Sequence, residues 1–269
     1  MKFKKILTCF ITFFVLFATM QTASAQEIEK DEKAVKKKKQ KFDSSPAIIF
    51  SPNYAGQIPF GGVAQRFGFN SLFSAQIMYK TVSNWLIAAE GGFLFGTDVK
   101  QSYVINNIAT STGQCITQNN DLTTLFPVEE GFNLKFEFGK VIPVAKRYPD
   151  AGIMLLTGVG FLEHKIAINA PSDVPQFSGP YKKGYDRLTS GPVFSQFVGY
   201  EFCKRRGLLN GYIGMQFDIA YTENRRPYDF YLMEPLHTKE TDMFLSFKVG
   251  WIIPKFFLAS GTEREIFYY

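Results

Sequence analysis

From Pro46 onward, apolar residues recur at every second position, which is the period of a β-strand rather than of a helix. The clearest stretch is Met243 to Ile253. Met243, Leu245, Phe247, Val249, Trp251 and Ile253 share one face, and Phe244, Ser246, Lys248, Gly250 and Ile252 the other. Phe132, Leu134, Phe136 and Phe138 alternate in the same way with Asn133, Lys135, Glu137 and Gly139. Ile213 to Tyr221, Phe73 to Tyr79 and Trp85 to Phe95 repeat the pattern. Ile48 to Tyr54, Ile153 to Phe161 and Pro192 to Phe202 carry it less cleanly, with Val198, Tyr200 and Phe202 assigned to the greasy side. The pattern predicts strands near 46–57, 69–80, 84–95, 131–142, 151–164, 190–203, 210–222 and 242–253. Each is of the length that crosses a bilayer when tilted.

The intervals between these segments alternate. Thr81 to Ser83, Pro143 to Asp150 and Lys204 to Leu209 are short, whereas Ile58 to Gly68, Gly96 to Glu130, Lys165 to Thr189 and Glu223 to Thr241 are long. Short turns at one end and long loops at the other are the habit of an up-and-down transmembrane barrel, and a soluble sandwich has no reason to follow it. The expected fold is therefore all-β: a closed, antiparallel, eight-stranded up-and-down transmembrane barrel over residues 46–269. An even strand count returns both termini to the periplasmic side.

The N-terminal region changes the picture in two ways. Lys2, Lys4 and Lys5, the apolar run Ile6 to Met20 and the small residues Ala23-Ser24-Ala25 have the layout of a secretory signal, with cleavage expected between Ala25 and Gln26. Residues 26–45 then form a charged, apolar-poor tail containing Lys36 to Lys39, expected to be solvated and periplasmic. The formal net charge of +6 is concentrated in these two regions, so the body is near neutral. A nucleic-acid binder carries its basic face on the folded body, and that class is excluded as a partner. Cys115 and Cys203 fall at opposite ends of the expected barrel, so no bridge is expected between them. Phe and Tyr number 29 and 13, and the aromatics near strand ends (Tyr54, Phe60, Phe67, Phe69, Tyr79, Trp85, Phe95, Phe126, Phe161, Tyr221 and Trp251) are expected to form interfacial girdles.

Taken with the aromatic C-terminal stretch Glu265-Ile266-Phe267-Tyr268-Tyr269, this architecture resembles the small eight-stranded outer-membrane barrels of the OmpA and OmpX type, in the form found in Bacteroidota. The resemblance covers Pro46 to Tyr269. It implies residence in the cell outer membrane, contact with outer-membrane lipid and lipopolysaccharide, and a terminal aromatic signal read by barrel-assembly machinery. Some barrels of this size serve a secretion machine as accessory components, which makes an envelope protein a candidate partner.

Candidate chemistry lies inside the ring and in the loops. The strand register turns Gln76, Glu90, Lys135, Glu137, Glu201, Gln216, Asp218 and Lys248 inward. Glu90 lies level with Lys135 and Glu137, and Asp218 faces Lys248. Charges at that depth must pair or stay hydrated, so a network closing the lumen is expected. A non-enzymatic barrel with a structural, surface-interaction or envelope-complex role follows, with no catalytic residue, cofactor or metal. Two alternatives remain: a small-solute porin-like channel, and a lipid A-modifying enzyme built on Glu163, His164 and Ser172 or Ser178. Asn224 to Tyr231 mixes Arg225 and Arg226 with Tyr228, Phe230 and Tyr231, residue types enriched at binding hot spots or able to meet lipid head groups.

Overall fold

The computed structural model describes residues 46–145, 150–169, 174–177, 179–203, 210–236 and 238–257. The expected signal segment with its Ala25–Gln26 cleavage site, the charged tail to Ser45 and the terminal stretch Glu265 to Tyr269 lie outside them. Eleven strands are present among the described residues: β1 (Ala47–Gly61), β2 (Asn70–Lys80), β3 (Trp85–Gly96), β4 (Gln114–Ile116), β5 (Leu122–Thr124), β6 (Phe126–Pro143), β7 (Gly152–Asn169), β8 (Thr189–Phe202), β9 (Gly211–Asn224), β10 (Lys239–Trp251) and β11 (Ile253–Phe256). The helical pieces described are short 3-10 turns such as Val63–Gln65 and Ser102–Ile105.

Every neighbouring pair in the main sheet is antiparallel, in the order β1, β2, β3, β6, β7, β8, β9, β10. β10 then pairs back onto β1 from Asn53↔Gly250 to Gly61↔Asp242. β11 carries the same edge onward after Ile252, pairing Phe50↔Ile253 through Ala47↔Phe256. The chain forms a closed eight-stranded up-and-down barrel. Closure joins the first and last strands of the main sheet, so neither is left as an open edge.

The predicted faces match the pleat. Along β2 burial alternates without a break, with Leu72, Ser74, Gln76 and Met78 inside and Phe73, Ala75, Ile77 and Tyr79 outside. The ambiguous β8 turns Val198, Tyr200 and Phe202 outward as expected. Outward side chains are overwhelmingly apolar, and aromatics run across strands: Tyr54, Phe73, Phe93 and Phe132 are register partners in turn. Trp85 stacks on Phe138 with centroids 5.0 Å apart, and Lys140 Nζ lies 4.9 Å from the Trp85 ring.

Several boundaries differ from the sequence expectation: β10 starts at Lys239, and the hairpin β4–β5 arises within the interval read as loop. β6 and β7 pair from Phe126↔Asn169 to Pro143↔Gly152, so residues 126–130 and 165–169, read as loop, are strand. These residues do not alternate cleanly (Ile166, Ala167 and Ile168 are all buried), because they are covered by loops on one side rather than facing a uniform solvent. β1 likewise runs on to Gly61. Finally Phe67, expected in a girdle, is fully buried: the turn Val63–Gln65 folds the connection after β1 inward over the ring.

Candidate functional site

The interior is stratified. At the short-turn end an apolar layer including Ile49, Met78, Leu86, Met154, Phe197 and Ile252 fills the ring. There Lys80 Nζ reaches Asp150 Oδ1 at 3.0 Å. Phe197 fits because Gly199 and Gly214, register partners on β8 and β9, leave room for its ring. A Cβ on either would come within 2.5 Å or 2.7 Å of Phe197 Cζ.

Above it lies an ionic layer. Lys248 Nζ, from β10, donates to Glu90 Oε1 and Oε2 at 2.7 and 2.8 Å across the lumen, and to Gln216 Oε1 at 3.2 Å. Lys135 Nζ approaches Glu90 Oε2 at 3.2 Å from the neighbouring strand, and Ser74 Oγ donates to Glu90 Oε1 at 2.6 Å. Gln216 Nε2 donates to Asp218 Oδ2 at 2.7 Å, and Gln76 Nε2 donates to Glu137. Tyr212 adds a hydroxyl that donates to Asn53 Oδ1 at 2.7 Å and lies 3.1 Å from Gln76 Oε1.

All eight residues expected in the lumen are buried there, with two corrections. Lys248 does not pair with Asp218 on the adjacent strand. It extends across the ring to Glu90, where it can hold both carboxylate oxygens, and Asp218 is left 3.9 Å from Lys135. Glu201 is inward but apart from this cluster, level with Gly152 and Tyr212 at the short-turn end. Tyr212, Asn53 and Ser74 went unnoticed in the sequence because each looks like ordinary strand filling, and only closure brings β1, β2 and β9 to one point.

A second apolar layer, formed by Leu72, Leu94, Leu162, Val193, Ala220 and Phe244, covers the ionic one. Over that sits a second polar cluster built on Arg66. Its Nη2 meets Glu240 Oε2 at 3.0 Å and lies 3.9 Å from Asp242 Oδ2, while Nη1 donates to Thr189 Oγ1 at 3.2 Å. Asp242 Oδ2 is 3.1 Å from His164 Nε2 and accepts from Thr222 at 2.5 Å. Arg66 carried no periodic signal, since it belongs to a connection.

The long connections then close the mouth with a small apolar core of their own: Val63, Phe67, Val104, Ile105, Cys115, Val174 and Tyr185, with Phe230 packed against it. Arg187 Nε donates to Asp229 Oδ2 at 2.7 Å and Nη1 to Gln101 Oε1 at 2.6 Å, joining three connections. Burial pushes the Cys115 thiol up, and pushes the Tyr185 phenol up as well. Cys115 and Cys203 are not joined: the first sits in this cap, the second follows β8 at the other end.

The loop candidates divide accordingly. Arg226 is held by the Asp186 carboxylate, whose hydrogen bond raises the guanidinium further. Phe230 belongs to the cap, and Tyr231 leans on Tyr103 at 5.2 Å. Arg225 donates to Ser190 Oγ at 2.8 Å while staying half exposed, and Tyr228 also keeps an open face. Glu163 and His164 do not meet: neighbours on a strand point to opposite faces, and His164 is wholly buried. Ser172 and Ser178 lie outside the described residues. No group of three or more His, Cys, Asp or Glu able to hold a metal occurs among the described residues.

No protein-family model matches the chain, and no curated protein does. Among solved structures it is similar to Ail, the attachment invasion locus protein of Yersinia pestis, at 8% identity over 78% of this chain and 99% of that one, with a TM-score of 0.38. Neisserial surface protein A gives 9% identity, 76% and 96% coverage and a TM-score of 0.38. The outer membrane protein OprG from Pseudomonas aeruginosa gives 7%, 78% and 97%, and 0.33. All are small outer-membrane barrels. At these scores the likeness is one of architecture and carries no reading of role.

Proposed function

We propose that the chain is a non-enzymatic outer-membrane barrel whose lumen is sealed, and whose role is exercised through its outer cap as a structural or surface-interaction element of the envelope. The observation that carries this reading is the stacking of two apolar layers and two ion-paired layers inside a ring whose outer wall is greasy and aromatic-banded. A lone ring of ion pairs can swing aside to pass solutes, whereas apolar layers above and below it interrupt a continuous water path. The outward Ile, Val and Phe side chains fit hydrocarbon. Aromatics such as Trp85, Trp251 and Tyr200 near the short turns, and Phe60, Phe69 and Phe95 near the long loops, fit the two interfaces. The long-loop end then faces outward, both termini are periplasmic, and outer-membrane lipid and lipopolysaccharide are the immediate surroundings. An envelope protein is the candidate partner, through the cap or through the charged tail.

Purified, refolded full-length protein in planar bilayers tests the sealed lumen. The expected record is a quiet membrane. Steady, large single-channel currents overturn the reading in favour of a small-solute channel. Lipid A mass spectra of a deletion strain, expected to match the parent, test the absence of lipid-modifying activity.

A further inference from the structure

We infer that a cavity just above the central ionic layer is a binding site for one water molecule, held by Lys135, Asp218 and the amide oxygen of Asn133 or Gln57. The cavity is small, with room for about one water molecule. All four residues line it, with Leu162 and Val193 among its apolar walls. Each carries a buried polar atom without a hydrogen-bond partner in the protein: Lys135 Nζ, whose contact with Glu90 is an ion pair, Asp218 Oδ1, Asn133 Oδ1 and Gln57 Oε1.

The four atoms are one donor and three acceptors, and one water can serve three of them. It accepts from the Lys135 ammonium, gives one proton to the Asp218 carboxylate, and gives the other to an amide oxygen. Lys135 Nζ and Asp218 Oδ1 stand 3.9 Å apart, too far for a hydrogen bond, and a bridging molecule closes such gaps at almost the enthalpy of a direct bond. The frame is fixed beforehand. Glu90 holds Lys135 at 3.2 Å, Gln216 holds Asp218 at 2.7 Å, and Ser246 anchors the amide nitrogen of Gln57 at 2.9 Å. A cation is disfavoured by the ammonium in the wall and an anion by the carboxylate, so a neutral ligand is selected.

The test uses the full chain refolded in detergent micelles with nitrogen-15-labelled lysine, the three buried ammonium signals, Lys80, Lys135 and Lys248, being assigned by Lys→Arg exchange. A cross-peak to a long-lived water is expected at Lys135 Nζ and not at Lys248 Nζ, whose acceptors are all protein atoms. A crystal structure is expected to show one peak in the cavity about 2.7–3.2 Å from Lys135 Nζ and Asp218 Oδ1. Absence of the Lys135 cross-peak, an empty cavity, or a peak with contacts of about 2.4 Å, the length of a metal contact, each overturn the inference. Val193→Ile grows into the cavity and is expected to abolish the Lys135 cross-peak while the barrel keeps the gel mobility of the folded form. Persistence of the cross-peak in that variant also overturns it.

Discussion

Glu90 meets two lysines from different sides of the lumen, Lys248 at 2.7 and 2.8 Å and Lys135 at 3.2 Å. Removing one partner of a buried pair strands a charge, at a typical cost of about 3–5 kcal/mol. Lys248→Met is therefore expected to lower the unfolding free energy, read from the urea transition of the folded barrel, by that order. Lys165→Met, at an exposed pair 3.6 Å from Glu130, should change stability by about 1 kcal/mol or less. Equal effects would show that the inner pair is hydrated rather than sealed. The identities of these inner residues were legible from the period-two pattern alone. Their partners were not. Register predicts neighbours on adjacent strands, such as Glu90 and Lys135, but the reach of Lys248 across the ring depends on barrel diameter and on which rotamer an extended lysine adopts.

At the scale of elements, strand existence was readable wherever one face was uniformly apolar, as in β2 and β10. It failed where a strand leaves that environment: at residues 126–130 and 165–169 the cap replaces a single flat surroundings, and the alternation breaks. The same boundary gives a prediction. Phe136 projects outward midway along β6, whereas Phe126 stands at its far end beyond the last β3 partner, Glu129. Phe136→Arg should cost about 2–4 kcal/mol in lipid and Phe126→Arg about 1 kcal/mol or less, measured by unfolding from vesicles. Equal costs would misplace the membrane. On β8 and β9, Gly199→Val is expected to prevent the gel-shifted folded form from appearing, because its side chain must occupy the space of the Phe197 ring.

For the whole molecule, the cap is the part the sequence concealed. Its core draws on all four long connections: residues such as Val63 and Ile105 read as scattered apolar positions, and Phe67 as a girdle aromatic, until the ring gathers them. Its titration gives a pH dependence. Burial raises both Cys115 and Tyr185, so each favours its neutral form more strongly in the folded cap than in an opened one. The resulting stabilisation is complete below about pH 9.0, the ordinary thiol value, and is lost as the pH climbs toward the raised values. Proteinase K digestion should cut the long connections faster above that pH while the strands stay protected. An unchanged cutting rate up to pH 11 would mean that neither group is shielded when folded. Alkylation of Cys115 at neutral pH should likewise wait for the cap to open.

The grip of Lys248 on Glu90 also bears on how the protein is made. β3 leaves the ribosome long before β10, so this carboxylate must wait, desolvation deferred, until the final strand arrives. The last strand thus brings both the seam to β1 and the bolt that locks the door from inside. A chain cut short before Lys239 should not persist as a seven-stranded sheet awaiting its mate. It should stay with the chaperones that hold unfolded chains, and a stable, protease-resistant truncation product would show that the bolt is not needed.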